Sequence, residues 1–231
     1  MLDQAFDALK TYTWGQDRNL VKPLEDAAIA TRGDAAARKE LEARLAAVLT
    51  TDATYDAKQL VCRLLVLVGT AASVPALAGL LADKKLSHMA RYALERFAEP
   101  EAGQALRDAL AKVGGELRIG MVSSLGVRGE AASVAPLGAL LGDGDVALAT
   151  AAAHALGAMA LPEASAALTA AKPSDEMKAT VADATLACAE KLLAAGNKAA
   201  ALKAYQSLLA ASPSEPIREA AARGRQACGG A

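Results

Sequence analysis

The stretch LSHMARYALERF at 86–97 sets Ser87, His88, Arg91 and Tyr92 close together. A serine beside a histidine suggests a nucleophile with its base. An arginine beside a tyrosine suggests recognition of a carboxylate-bearing or polar partner. Catalysis requires that the two side chains meet and that a further group orients the base. No serine sits in a GxSxG setting, and no glycine-rich phosphate loop follows a strand pattern. His88 and His154 are far apart in the chain, and Cys62, Cys188 and Cys228 match no zinc or redox spacing. Neither a metal nor a cofactor is therefore expected. Recognition survives, because Arg and Tyr are frequent anchors of protein interfaces.

A second cluster lies in TYTWGQDR at 11–18, with Tyr12, Trp14, Gln16 and Arg18. Trp14 is the only tryptophan. The favoured reading is that it plugs the N-terminal end of a core. In the alternative, the segment closes over Arg91 and Tyr92 and shapes a pocket.

The elements that must position these residues are helices. The chain has 231 residues, enough for one domain or one continuous array. Hydrophobic residues make up 53% and aromatics 3%, so the apolar content is mainly Ala and Leu, both strong helix formers. The net charge of −1 comes without a basic block, which argues against a nucleic-acid partner. The most apolar region, 145–171, is broken by His154, Pro162 and Glu163, so no membrane insertion is expected. MLDQAFDALK has neither a basic start nor an apolar run, so it does not read as a signal peptide. Cys62 and Cys188 read as small buried residues and Cys228 as a free thiol.

The chain also repeats itself. AASVPALAGLLAD at 71–83 aligns without a gap to AASVAPLGALLGD at 131–143, an offset of 60 that makes two units of about 30. Weaker copies at 101–110 and 163–171 complete a column of Leu77, Leu106, Leu137 and Leu168. A second column runs through Leu60, Leu86, Leu117 and Leu148, with small or apolar residues three, four, seven and eight positions later. Gly69, Gly126 and Gly157 suit helix ends with positive φ, and Pro100 and Pro162 suit helix starts. Each unit is then two helices of three to four turns.

This pattern resembles HEAT-like repeats of the short PBS-lyase type over roughly 56–172. At whole-chain level it resembles the HEAT-repeat region of large exported bacterial proteins. The resemblance implies an all-α fold, an α-solenoid of stacked antiparallel helix pairs whose second helices line a concave surface. It also suggests a soluble, exported or periplasmic setting, which the residues themselves do not fix. One departure is that the Arg common after the first apolar residue of the second helix occurs only at Arg118. The relatives that are enzymes leave no signature here. A HEAT-like DNA glycosylase needs a basic, aromatic-lined face, the di-iron hydroxylases need His-Glu pairs, and nothing marks a bilin lyase's tetrapyrrole pocket.

Three segments are expected. Residues 1–55 read as a helical cap with helices at 2–12, 18–30 and from Asp34 onward, the last carrying a Glu40–Arg44 pair and a Leu41, Leu45, Leu49 stripe. Residues 56–173 are the HEAT-like repeats. Residues 174–231 hold one TPR-like hairpin, turning at Gly196 with Ala201, Tyr205 and Leu209 inward. An incomplete terminal repeat follows, with an uncovered apolar stripe, as if the chain were the front of a longer protein.

In this register Ser87, His88, Arg91 and Tyr92 point outward, matched by Cys62 and Val66, Arg118 and Ser123, and Thr150 and His154. The functional expectation is a non-catalytic scaffold that binds a protein or a neighbouring domain through its concave face. Its candidate residues are Ser87, His88, Arg91, Tyr92, Arg118 and Ser123. The alternative is an enzyme or small-ligand module with a pocket between the cap and the second repeat.

Overall fold

The computed structural model describes residues 1–211 and 214–229. Among them are fourteen α-helices and no β-strand. They are α1 (Leu2–Leu9), α2 (Lys22–Ala30), α3 (Ala35–Leu49), α4 (Tyr55–Val68), α5 (Val74–Ala78), α6 (Ser87–Leu94) and α7 (Pro100–Leu110). Then come α8 (Gly115–Arg128), α9 (Val134–Ala139), α10 (Val146–Ala158), α11 (Pro162–Ala170), α12 (Lys178–Ala194), α13 (Lys198–Ala211) and α14 (Glu215–Ala227). The fold is all-α.

Local chemistry sets the helix starts. Asp34, Thr54 and Asp145 cap α3, α4 and α10 by accepting from amides of their first turns. Pro100 and Pro162 open α7 and α11, where a missing N–H costs nothing.

Packing divides the chain into two compact units, Met1–Gly120 and Met121–Ala231, with the division inside α8. Within the first unit α2 packs on α4 and α4 on α6, while α3 packs on α5 and α5 on α7. Within the second, α10 packs on α12 and α12 on α14, while α9 packs on α11 and α11 on α13. Within each unit most helices thus meet a sequence neighbour and the helix after next. Leu65, Leu77, Leu94 and Leu106 in the first unit, and Leu125, Leu137 and Leu156 in the second, are fully buried.

Several sequence expectations change. α5 and α9 are shorter than three turns, each a few residues long after a 3-10 turn. Pro75 opens α5, where Pro is tolerated, and α5 ends before Gly79; in α9 the weak helix former Gly138 lies next to the last residue. None of Gly69, Gly126 and Gly157 has positive φ. They are instead points of close approach: an added Cβ would lie 2.3 Å from the Phe97 ring at Gly69, 2.7 Å from Ala155 at Gly126 and 2.8 Å from the Ala184 carbonyl at Gly157. The left-handed turn after α10 falls on Ala160, a non-glycine at φ 53.

The Glu40–Arg44 pair does not form. Arg44 bonds Asp3 at 2.6 Å and lies 4.1 Å from the Phe6 ring centre, because α1 offers an aromatic face as well as a carboxylate. In the hairpin of α12 and α13, Gly196 does turn the chain at φ 82, and Ala201 and Tyr205 are buried. Leu208 is the buried leucine and Leu209 is only half-buried. Of that hairpin's expected span, Ser212 and Pro213 lie outside the described residues, as do Gly230 and Ala231 of the terminal repeat. The apolar stripe of α14 is covered: Ile217 and Ala221 are buried, and Gly224 meets the Tyr205 ring. Its remaining face carries Arg218, Glu219 and Arg223.

Candidate functional site

The TYTWGQDR segment is fastened to α4. The Thr54 hydroxyl donates to the Tyr12 carbonyl while the same oxygen caps α4. Tyr12 is buried and Trp14 packs edge-on against it at 5.6 Å between ring centres. The Trp14 amide donates to Asp56 at 2.8 Å, and its indole N–H donates to Gln59 Oε1 at 3.0 Å. The Arg63 guanidinium sits 5.8 Å from the indole centre. Trp14 is therefore not a core plug. It remains 44% exposed, and Tyr12 fills the core in its place. The physical reason is the indole N–H, which finds its partner on the surface of α4 and holds the ring there. Gln16 holds the turn by accepting from the Thr13 amide, and Arg18 pairs with Glu25 at 2.7 Å on the surface.

On α6 the expected cluster separates. Ser87 is 2% exposed and its hydroxyl has no hydrogen-bond partner among the described residues, while His88 is exposed. One helical step turns neighbouring side chains about 100° apart, so the two do not form a nucleophile and base. Arg91 is half-buried and its Nη1 donates to the Gly120 carbonyl at 3.1 Å. A side chain at 120 would collide with that guanidinium, since a Cβ there would lie 2.8 Å from Cζ. Burial holds the Arg91 pKa below its ordinary value, and the Glu95 carboxylate opposes the shift. Ser87 and Arg91 are thus packed side chains, not outward ones. Tyr92 is half-buried, with Arg96 stacked 3.8 Å above its ring. Neither a hydrogen bond nor a ring contact joins Trp14 to Arg91 or Tyr92. Arg118 is half-buried and Ser123 exposed.

These placements follow from a shift in register. The buried column of α4 starts at Ala57, three residues before Leu60: Ala57, Leu60, Val61, Leu64 and Leu65 are buried, whereas Arg63 and Leu67 are exposed. Counting from Ala57, Leu86, Leu117 and Leu148, the outward residues six positions on are Arg63, Tyr92, Ser123 and His154, of which Tyr92 is half-buried and the others are exposed. Arg91 falls one place earlier, in a column whose other members, Cys62, Val122 and Ala153, are fully buried. Burial pushes the Cys62 thiol up to about 12.

Arg63 is the residue that reading from Leu60 missed. The signal was present in the sequence, since starting from Ala57 restores a spacing close to the period of about 30. Beyond the columns, Ile29 and Leu67 are exposed aliphatic residues beside Arg32, and no motif marks them. Among the described residues, no three His, Cys, Asp or Glu side chains gather as a metal site, and no helix is long and apolar enough to cross a membrane. The comparison with protein-family models gives no match, and neither does the comparison with curated proteins.

Proposed function

We propose that this chain is a non-catalytic helical-repeat scaffold of the HEAT-like kind, binding a protein partner or a neighbouring domain through its even-numbered helices. The packing of α2, α3, α4 and α5 in the first unit, and of α9, α10, α11 and α12 in the second, each on the helix after next, supports an α-solenoid of paired helices. In a solenoid, one row of helices lines the concave side and serves as the binding surface.

One observation carries the reading. Arg63 and Tyr92 hold the same outward place on α4 and α6, which pack together. Trp14 lies beside Arg63, and Arg96 lies over Tyr92. Tryptophan, tyrosine and arginine at the surface of one element pair are the composition of an interface hot spot. The pocket alternative drew its support from a convergence of Trp14 with Arg91 and Tyr92, and Trp14 is engaged with α4 instead.

The test is affinity capture from an extract of the source cells, followed by mass spectrometry. A protein retained by the wild-type chain should be lost when Arg63→Ala and Tyr92→Ala are combined, with helicity unchanged. Retention of the same proteins by the double variant would contradict the proposal.

A further inference from the structure

A cleft of about 420 Å³ opens in the first unit where the end of α2, the turn into α3 and the end of α4 meet. This size falls within the range of ligand sites. Two branched aliphatic side chains flank it, Ile29 at 56% exposure and Leu67 at 51%. Two arginines, Arg32 and Arg38, also line it. Arg38 is committed to backbone carbonyls, its Nε to Val68 at 2.8 Å and its Nη2 to Gly69 at 3.1 Å. The Arg32 backbone amide donates to the Ile29 carbonyl at 3.2 Å, but among the described residues its guanidinium makes no hydrogen bond and no ion pair. The adjacent carboxylate, Asp34, is engaged with the amides of Ala36 and Ala37 at the start of α3. The cleft thus holds two guanidinium charges with no carboxylate lining it, beside aliphatic surface that the fold leaves in water.

We infer that this cleft binds an acidic, leucine-bearing peptide segment of a partner protein, one aliphatic side chain seated between Ile29 and Leu67 and a carboxylate on Arg32. Charge complementarity selects an anion, and the guanidinium fork of Arg32 matches the planar geometry of a carboxylate. The flanking aliphatics select against a purely polar anion. Openness to solvent on one side favours a chain that passes through over a molecule that must be enclosed. The inference rests on the scaffold reading only in taking a polypeptide as the ligand.

The experiment is amide NMR on the full chain with three probes. These are the acidic peptide Ac-ELLEELLE-NH2, the basic peptide Ac-KLLKKLLK-NH2 and decanoate. The acidic peptide should shift the amides of Ile29, Arg32, Gly33 and Leu67. Arg32→Ala should weaken it about tenfold, as expected for a lost charge-assisted hydrogen bond. Leu67→Ala should weaken it severalfold. Both side chains are exposed, so these variants should keep the wild-type melting curve. Equal binding of the basic peptide would overturn the inference, as would decanoate saturating the cleft while the acidic peptide does not. Shifts confined to α6 around Tyr92 would overturn the cleft alone and leave the scaffold proposal standing.

Discussion

Helices α4 and α10 share one register of buried positions, counted from Ala57 and from Leu148, yet their outward faces differ. Their buried columns match: Ala57, Leu60, Val61, Leu64 and Leu65 in α4, against Leu148, Ala152, Ala155 and Leu156 in α10 with Ala151 half-covered. Their outward columns do not. α4 presents Gln59, Arg63 and Leu67, while α10 presents Thr150, His154 and Ala158. α10 is thin where α4 is decorated, and its Gly157 lets the backbone of α12 come into contact. Packing holds the inner column to small and branched apolar residues in both helices. The outer residues Gln59 and Arg63 of α4 engage Trp14, whereas Thr150 of α10 meets Met177; on the scaffold proposal, α4 is the helix that meets a partner.

The largest expected effect tests the shared half of the contrast. Leu65→Ala in α4 and Leu156→Ala in α10 should each cost about 2–5 kcal/mol by denaturant unfolding, as large-to-small changes at fully buried sites. A cost below about 0.5 kcal/mol for either would place that leucine at the surface and break the register.

Next comes the close approach. Gly157→Val puts a side chain into the Ala184 backbone and should cost about 1–3 kcal/mol by overpacking. The matching position in α4 is the half-buried Val66, where Val66→Gly should cost only the helix penalty of about 0.5–1 kcal/mol. Equal costs at the two sites would mean that α10 and α4 do not differ in how closely their neighbours approach.

The columns at Arg91 and Tyr92 give a third comparison. Arg91→Ala removes a charged hydrogen bond to the Gly120 carbonyl and should lower stability by about 1.5–3 kcal/mol. Tyr92→Ala should change it by less, since the ring stays half in water under Arg96. The reverse order would return Arg91 to the outward column.

The smallest effect is chemical. Iodoacetamide at pH 8 should add one label to the folded chain, at Cys228, read by intact mass. Cys62 stays unlabelled because burial both shields it and pushes its thiol up to about 12, and burial likewise raises Cys188. Labelling of Cys62 before unfolding would mean that the inner column of α4 opens.

Much of the fold was legible because helix signals are local. The Asp34 cap, the prolines that open α7 and α11, the Gly196 turn and the leucine columns all depend on neighbours within a few residues. The site was less legible. A single misplaced start, Leu60 for Ala57, rotated α4 and hid Arg63 among the core positions. Arg91 and Tyr92 are adjacent in sequence, and only packing against Gly120 separates the tie between helices from the outward residue. Trp14 was misread because composition reports its size, while its indole N–H, which needs Gln59, decides where it sits. The Ile29–Leu67 cleft joins residues from two helices and carries no pattern in the sequence.

The contrast between α4 and α10 is tested most directly by site-specific photocrosslinking of the captured partner. A benzophenone amino acid is placed at position 63 in one chain and at position 154 in another, and both are irradiated in the source-cell extract. A partner crosslinked from position 63 and not from position 154 is the predicted result. Crosslinking from position 154 alone, or from neither position with a partner that still co-purifies, would contradict the assignment of binding to α4.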